Sequence, residues 1–289
     1  MHDTQEPGNE QARLWNGPAG RAWVDRQPLL DRLFAPLGTL LTEAVAGRPL
    51  GRVLDVGCGT GAVTLALARP SGDAGECVGI DISAPMIEAA RARAEREGSQ
   101  ARFVCADAQT HAFAPAGFDT IVSRLGVMFF DDPVAAFANL RRAARDSAAL
   151  RFLAWRAAAE NPFMTTAERA AAPLLPQLPA RRPGAPGQFG FADRERVEAI
   201  LAQAGWGAIA LRPVDLACSL PAQELVPYLS RLGPVGLALE QADAATRERV
   251  VETVRAAFEP FVQGDAVRFT AACWLASAEA TAPHEVFHG

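Results

Sequence analysis

Val53-Leu54-Asp55-Val56 runs straight into Gly57-Cys58-Gly59-Thr60-Gly61-Ala62. An apolar strand, three closely spaced glycines and then a helix form the turn at which a doubly wound sheet opens its ligand crevice. Positions without a side chain let the backbone approach a ligand, and the amides opening the helix favour a carboxylate or phosphate. The residues that follow supply such a sheet. From Gly51 on, short apolar runs alternate with amphipathic ones, the pattern of βαβ units. Strands are predicted near 51–56, 76–81, 101–106, 118–123, 148–155, 207–215 and 266–277. Helices are predicted near 60–69, 84–97, 133–145, 193–204, 222–232 and 242–262. Ser83 before Ala84-Pro85 and Asp132 before Pro133 are capping starts for two of them. The fold class expected is α/β, a Rossmann-like, mostly parallel seven-stranded sheet with an antiparallel final strand.

Four segments follow. Residues 1–50, with Leu14-Trp15-Asn16-Gly17-Pro18, Trp23 and an apolar-periodic stretch over 29–45, predict an N-terminal helical cover. Residues 51–156 form the cofactor-binding half. Residues 157–192 interleave prolines with glycines, so that no long helix or central strand runs through their second half, and they predict a lid loop. Residues 193–289 complete the sheet around a helical insertion over 219–265, which either packs on the sheet edge or closes over the site.

All 28 basic residues are arginine. Without lysine, Schiff-base aldolases, pyridoxal-phosphate enzymes and the P-loop phosphate clamp are excluded. The 33 acidic residues leave a net charge of −5, a field that repels a phosphate backbone, so no nucleic-acid partner is expected. Five scattered cysteines without a C-x-x-C pair argue against a disulfide framework or a zinc ribbon and fit a reducing cytoplasm. No apolar run is long enough for a membrane span and no leader pattern opens the chain, so no membrane partner is expected. His284-Glu285-Val286-Phe287-His288 matches H-E-x-x-H but follows Pro283 and lacks a helix body, so no metal is expected.

Gly57, Gly59 and Ala62 also satisfy G-x-G-x-x-A, with Asp81 at the end of the second strand, so a nicotinamide dinucleotide is one candidate ligand. Asp55 argues against it. A carboxylate about 5 Å from a pyrophosphate charge is repulsive by roughly 3 kcal/mol at an effective dielectric of 20. S-adenosyl-L-methionine carries an ammonium and a sulfonium beside one carboxylate, and suits an acid at 55 with helix amides after 59. Asp81 can accept both ribose hydroxyls. Asp107-Ala108, ending the third strand, can meet the adenine amino group while Ile82 and Met86 form an apolar slot. Ser123 and Arg124 reach the same edge beside the sulfonium or the substrate. The Cys58 side chain reads as a small hydrophobe behind the turn.

Val53 to Gly61, Asp81, Asp107-Ala108 and Phe118 to Val122 resemble the ordered motifs of class I S-adenosylmethionine-dependent methyltransferases, nearest the small-molecule, ubiquinone/menaquinone C-methylase-like (type 11) group. The resemblance covers residues 51 to about 155. It implies that the glycine loop and Asp55 face the methionine part, Asp81 the ribose and Asp107 the adenine. Trp15 and Trp23 resemble the N-terminal cover of such enzymes, with core packing as the alternative. Arg124 to Phe130 departs from relatives that place a histidine there, so no base is assigned; Glu160, His111 and Asp131 lie near the edge without a decisive spacing. Phe163, Met164, Phe189 and Phe191 suggest apolar walls for a small, partly hydrophobic acceptor, and Asn161 is a further candidate lining residue. The expected activity is in-line methyl transfer to such a molecule. The alternatives are an S-adenosylmethionine-binding protein that transfers no methyl, or an NAD(P)-dependent oxidoreductase. Acceptor identity and oligomeric state are not legible.

Overall fold

β1 (Val53–Val56) is buried along its whole length, the environment its apolar run requires, and the sheet grows outward from it. The computed structural model describes residues 9–46, 51–69 and 75–281. Four short helices come first: α1 (Asn9–Asn16), α2 (Pro18–Asp25), α3 (Gln27–Leu33) and α4 (Ala35–Glu43). The last three each carry proline in the first turn, where a missing N–H breaks no helical bond, so the chain bends sharply between them.

After β1 come α5 (Ala62–Ala68), β2 (Cys77–Asp81), α6 (Ala84–Glu97), β3 (Arg102–Cys105), β4 (Phe118–Arg124), α7 (Pro133–Ala143) and β5 (Ala144–Trp155). Ser83 and Asp132 cap α6 and α7, their side chains accepting from the Met86 and Ala135 amides. The remaining elements are α8 (Pro162–Ala171), α9 (Arg194–Gln203), β6 (Gly207–Pro221), α10 (Leu225–Leu229), α11 (Gly233–Glu240), α12 (Ala244–Ala257), β7 (Val262–Gln263) and β8 (Ala266–Glu279).

The strand order is β3-β2-β1-β4-β5-β8-β6. The first five strands are parallel, and β8 lies antiparallel between β5 and β6. This is a Rossmann-like α/β sheet with an antiparallel final strand. The two-residue β7 pairs with β8 as an eighth strand where seven were expected; it exists because the turn into β8 folds back on itself.

Pairing of β5 with β8 stops at Trp155 opposite Cys273. The β6–β8 ladder continues from Asp215 opposite Ala272 to Pro221 opposite Ala266, and so projects beyond the carboxyl end of β5. α8 packs on α11 and α12 along this overhang. The Phe163 ring stacks on Phe269 at 3.8 Å and meets Phe258 and Phe261 edge-on.

This corrects the reading of residues 157–192 as loop throughout. Its first half contains α8, and its second half is turns. Phe163 and Phe191 are core residues rather than pocket walls: Phe191 packs between Phe137 and Phe152, at 6.1 and 6.2 Å. Phe189 lies under the Arg181 guanidinium. α10 and α12 are shorter than the helices expected near 222–232 and 242–262, and α11 lies between them. The sequence 284–288 falls outside the described residues. Among the described residues no helix is long and apolar enough to cross a membrane.

Candidate cofactor site and its relatives

The glycine loop is shaped by its own hydrogen bonds. The Gly57 and Cys58 amides donate to the Ile80 carbonyl at 2.8 and 3.1 Å, and the Gly59 amide donates to Asp81 Oδ2 at 2.8 Å. Gly57 has φ +66°, and a Cβ there would lie 2.7 Å from Gly126 Cα, so glycine is required for the turn after β4 to close on β1. Gly59 has φ +54°, and a Cβ there would meet nothing closer than Met86 Sδ at 3.7 Å. Backbone is therefore laid bare at Gly59, and Gly61 turns the chain into α5 with φ +83°.

Asp81 is 8% exposed at the tip of β2. Its Oδ1 accepts from the Ser83 amide at 2.9 Å, opposite the Gly59 bond to Oδ2. Each oxygen keeps a lone pair for a second donor. Burial raises its pKa above the ordinary carboxylate value, and the two amides oppose the shift. Asp55 is 1% exposed and accepts from Thr64 Oγ1 at 2.6 Å. Burial pushes it up to about 6, the Thr64 hydroxyl and the Arg124 charge acting against that. It lies beneath the loop, so its effect on a ligand is carried by its field through a poorly screened interior.

Asp107 turns the loop after β3, its Oδ1 accepting from the Gln109 amide at 2.8 Å. Asn139 of α7 holds that loop from behind, donating to the Ala108 and His111 carbonyls, each at 2.9 Å. Nothing in the sequence around Asn139 marks it for this, since its partners lie about thirty residues earlier on another element. Met86 is buried and Ile82 half-buried beside Asp81.

Two candidates point away from the crevice. The Cys58 thiol packs with Leu65, Ile87 and Phe103, and burial raises its pKa well above the ordinary thiol value. Ser123 is 1% exposed, and its Oγ accepts from the Gly126 amide at 3.2 Å, fixing the turn after β4. Arg124, the next residue, reaches toward α4, with its guanidinium 3.7 Å from where a Gly38 Cβ would lie. Burial lowers its pKa, and the Asp31 and Asp55 charges oppose the shift.

Trp15 and Trp23 meet edge to face at 6.0 Å. Trp15 also meets Phe129 at 5.2 Å, and Trp23 stacks on Phe34 at 6.3 Å. Of the base candidates, Glu160 is engaged by Arg156 at 2.6 Å and His111 packs against Phe113 at 4.7 Å. Asn161 is structural. Buried at 1% exposure, its amide donates to the Ala272 carbonyl at 3.0 Å and accepts from the Ala272 N–H at 2.9 Å, beside the Arg156 N–H, which donates to the same carbonyl at 3.0 Å where β5 ends.

These residues fit S-adenosylmethionine: bare backbone at Gly59, an oriented carboxylate at Asp81 and a buried acid under the loop. Residues 53–147 match the family model described as a methyltransferase domain. Aklanonic acid methyltransferase DauC of Streptomyces sp. (strain C5) is 38% identical over 117 residues, covering 38% of this chain and 52% of that protein. Nocamycin O-methyltransferase of Saccharothrix syringae is 36% identical over 113 residues, covering 39% and 40%. Such matches span about half the length of the curated relatives. The crystal structure of YcgJ from Bacillus subtilis superposes with a TM-score of 0.56 at 17% identity, over 85% of this chain and 98% of that one, a likeness of fold. Residues 53–147 thus carry a methyltransferase domain, set in a sheet of the same fold as the solved neighbour. The cofactor of that domain is S-adenosyl-L-methionine.

Proposed function

We propose that the protein transfers the methyl group of S-adenosylmethionine to a small, partly apolar molecule. The observation that carries this reading is the meeting, at one sheet edge, of the glycine loop with Asp81, whose carboxylate is aimed by the Gly59 and Ser83 amides. The relatives DauC and nocamycin O-methyltransferase, named for low-molecular-weight acceptors, support that acceptor class.

When bound, the cofactor supplies a methyl on a sulfonium whose leaving group departs neutral. Asp81 takes the ribose hydroxyls with its remaining lone pairs, and Asp107-Ala108, Ile82 and Met86 bound the adenine. Asp55 draws the cationic end through its field, the helix amides after Gly59 take the carboxylate, and Arg124, at the carboxyl end of β4, lies beside the sulfonium or the acceptor. Trp15 and Trp23 exclude water above the loop, as does the helical insertion on the overhang. Alignment of acceptor and methyl in such a closed site can contribute roughly 7 to 11 kcal/mol. The test is a metabolite panel incubated with the protein and the cofactor. The reading expects one product heavier by one methylene, formed in step with S-adenosylhomocysteine; loss of cofactor without a methylated product would reject it.

A further inference from the structure

We infer that Asn16 is a positioning residue that sets how long the cofactor stays bound. The inference rests on the S-adenosylmethionine reading above. β1 lies between β2 and β4 in the sheet, and the carboxyl end of α1 touches the turn after β2 and the helical turn that follows β4. On the β2 side, Asn16 Nδ2 donates to the Ile82 carbonyl at 3.0 Å and Oδ1 accepts from the Ala84 amide at 2.8 Å. Ser83 Oγ donates to the Trp15 carbonyl at 2.6 Å. All three residues after Asp81 are thus held by two residues of α1. On the β4 side, the Trp15 ring meets Phe129 edge-on at 5.2 Å. A segment held on both sides of β1 in this way is placed to cover the glycine loop that ends β1.

The second Nδ2 hydrogen goes to the Ala12 carbonyl at 2.8 Å, so both hydrogens of the Asn16 amide are in use and its orientation is set. Behind the strap, α2 presses onto the same turn: a Cβ at Gly20 would lie 2.9 Å from Ser83 Oγ. An adenosine leaving the pocket beside Asp81 has to part the strap from residues 82–84. Asn16 is solvent-exposed, so these bonds hold the strap shut without making it permanent.

The experiment is stopped-flow dissociation of S-adenosylhomocysteine from the full chain, read by tryptophan fluorescence, with melting curves of the ligand-free proteins. Asn16→Ala is expected to release the ligand roughly tenfold faster, the loss of about two modest hydrogen bonds, with the ligand-free melting temperature lowered by no more than about 4 °C. Asn16→Asp keeps the acceptor for the Ala84 amide and loses both donations, and is expected to fall between. A wild-type dissociation rate in Asn16→Ala, with binding intact, overturns the latch alone. Failure of the wild-type protein to bind S-adenosylhomocysteine overturns the cofactor reading, and the latch with it.

Discussion

Asp81 and Asp55 are two buried acids, only a strand apart, with opposite duties. Asp81 is oriented by two amides, and under the proposed ribose role its replacement by alanine removes hydrogen bonds to the cofactor. Asp81→Ala is therefore expected to weaken S-adenosylhomocysteine binding by roughly 1 to 3 kcal/mol, read by calorimetry; unchanged affinity would remove the ribose assignment. Asp55 faces inward. Its folded pKa of about 6 stands above the ordinary 3.8, so between those values the folded state holds a proton the unfolded chain has released. Stability from this group is thus full below the lower value and declines as pH rises through the upper one, by about 3 kcal/mol in all. Asp55→Asn keeps an acceptor for Thr64 and is expected to flatten that decline in urea unfolding measured from pH 4 to pH 8. The same substitution should weaken binding of the sulfonium cofactor more than that of neutral S-adenosylhomocysteine, because only the former carries the extra positive charge. Equal losses for the two ligands would contradict the field attributed to Asp55.

The elements most legible in the sequence are those whose patterns are local. β1, β2 and β4 are apolar runs ending in glycine or a charged residue, and α6 and α7 begin with a capping side chain followed by proline. α8 was hidden because Pro162 opens it and prolines crowd in soon after its end, so a helix of ten residues reads as part of a loop. α11 contains two glycines and a proline within eight residues and exists through its packing on α8 and α10. Asn161 illustrates the same limit. Its partner Ala272 is 111 residues away, and nothing nearby marks it as the residue that joins the overhang to β5. Asn161→Ala leaves the buried N–H and part of the demand of the Ala272 carbonyl unmet, and is expected to cost about 2 kcal/mol or more in chemical denaturation. A change of a few tenths would mean that the Arg156 bonds and the aromatic cluster hold the overhang without Asn161.

For the whole molecule, the sheet order places the tips of β1, β2 and β4 side by side, and the acids, the glycine loop and Arg124 gather there from segments separated in the chain. The cofactor half of this arrangement was readable because each motif ends its own strand. The helices of the N-terminal cover were readable too, but not where they attach, because that depends on α1 and α2 meeting residues 82–84 and on α2 meeting α11, contacts that no short-range pattern encodes. The stretch that the methyltransferase family model matches, residues 53–147, holds the glycine loop and lies outside these covering helices. The most direct measurement is a pair of calorimetric titrations of the wild-type chain, one with S-adenosylhomocysteine and one with NADH. Saturation by the first at one site per chain, with no heat from the second, is the predicted result; saturation by NADH with no response to the nucleoside would contradict it.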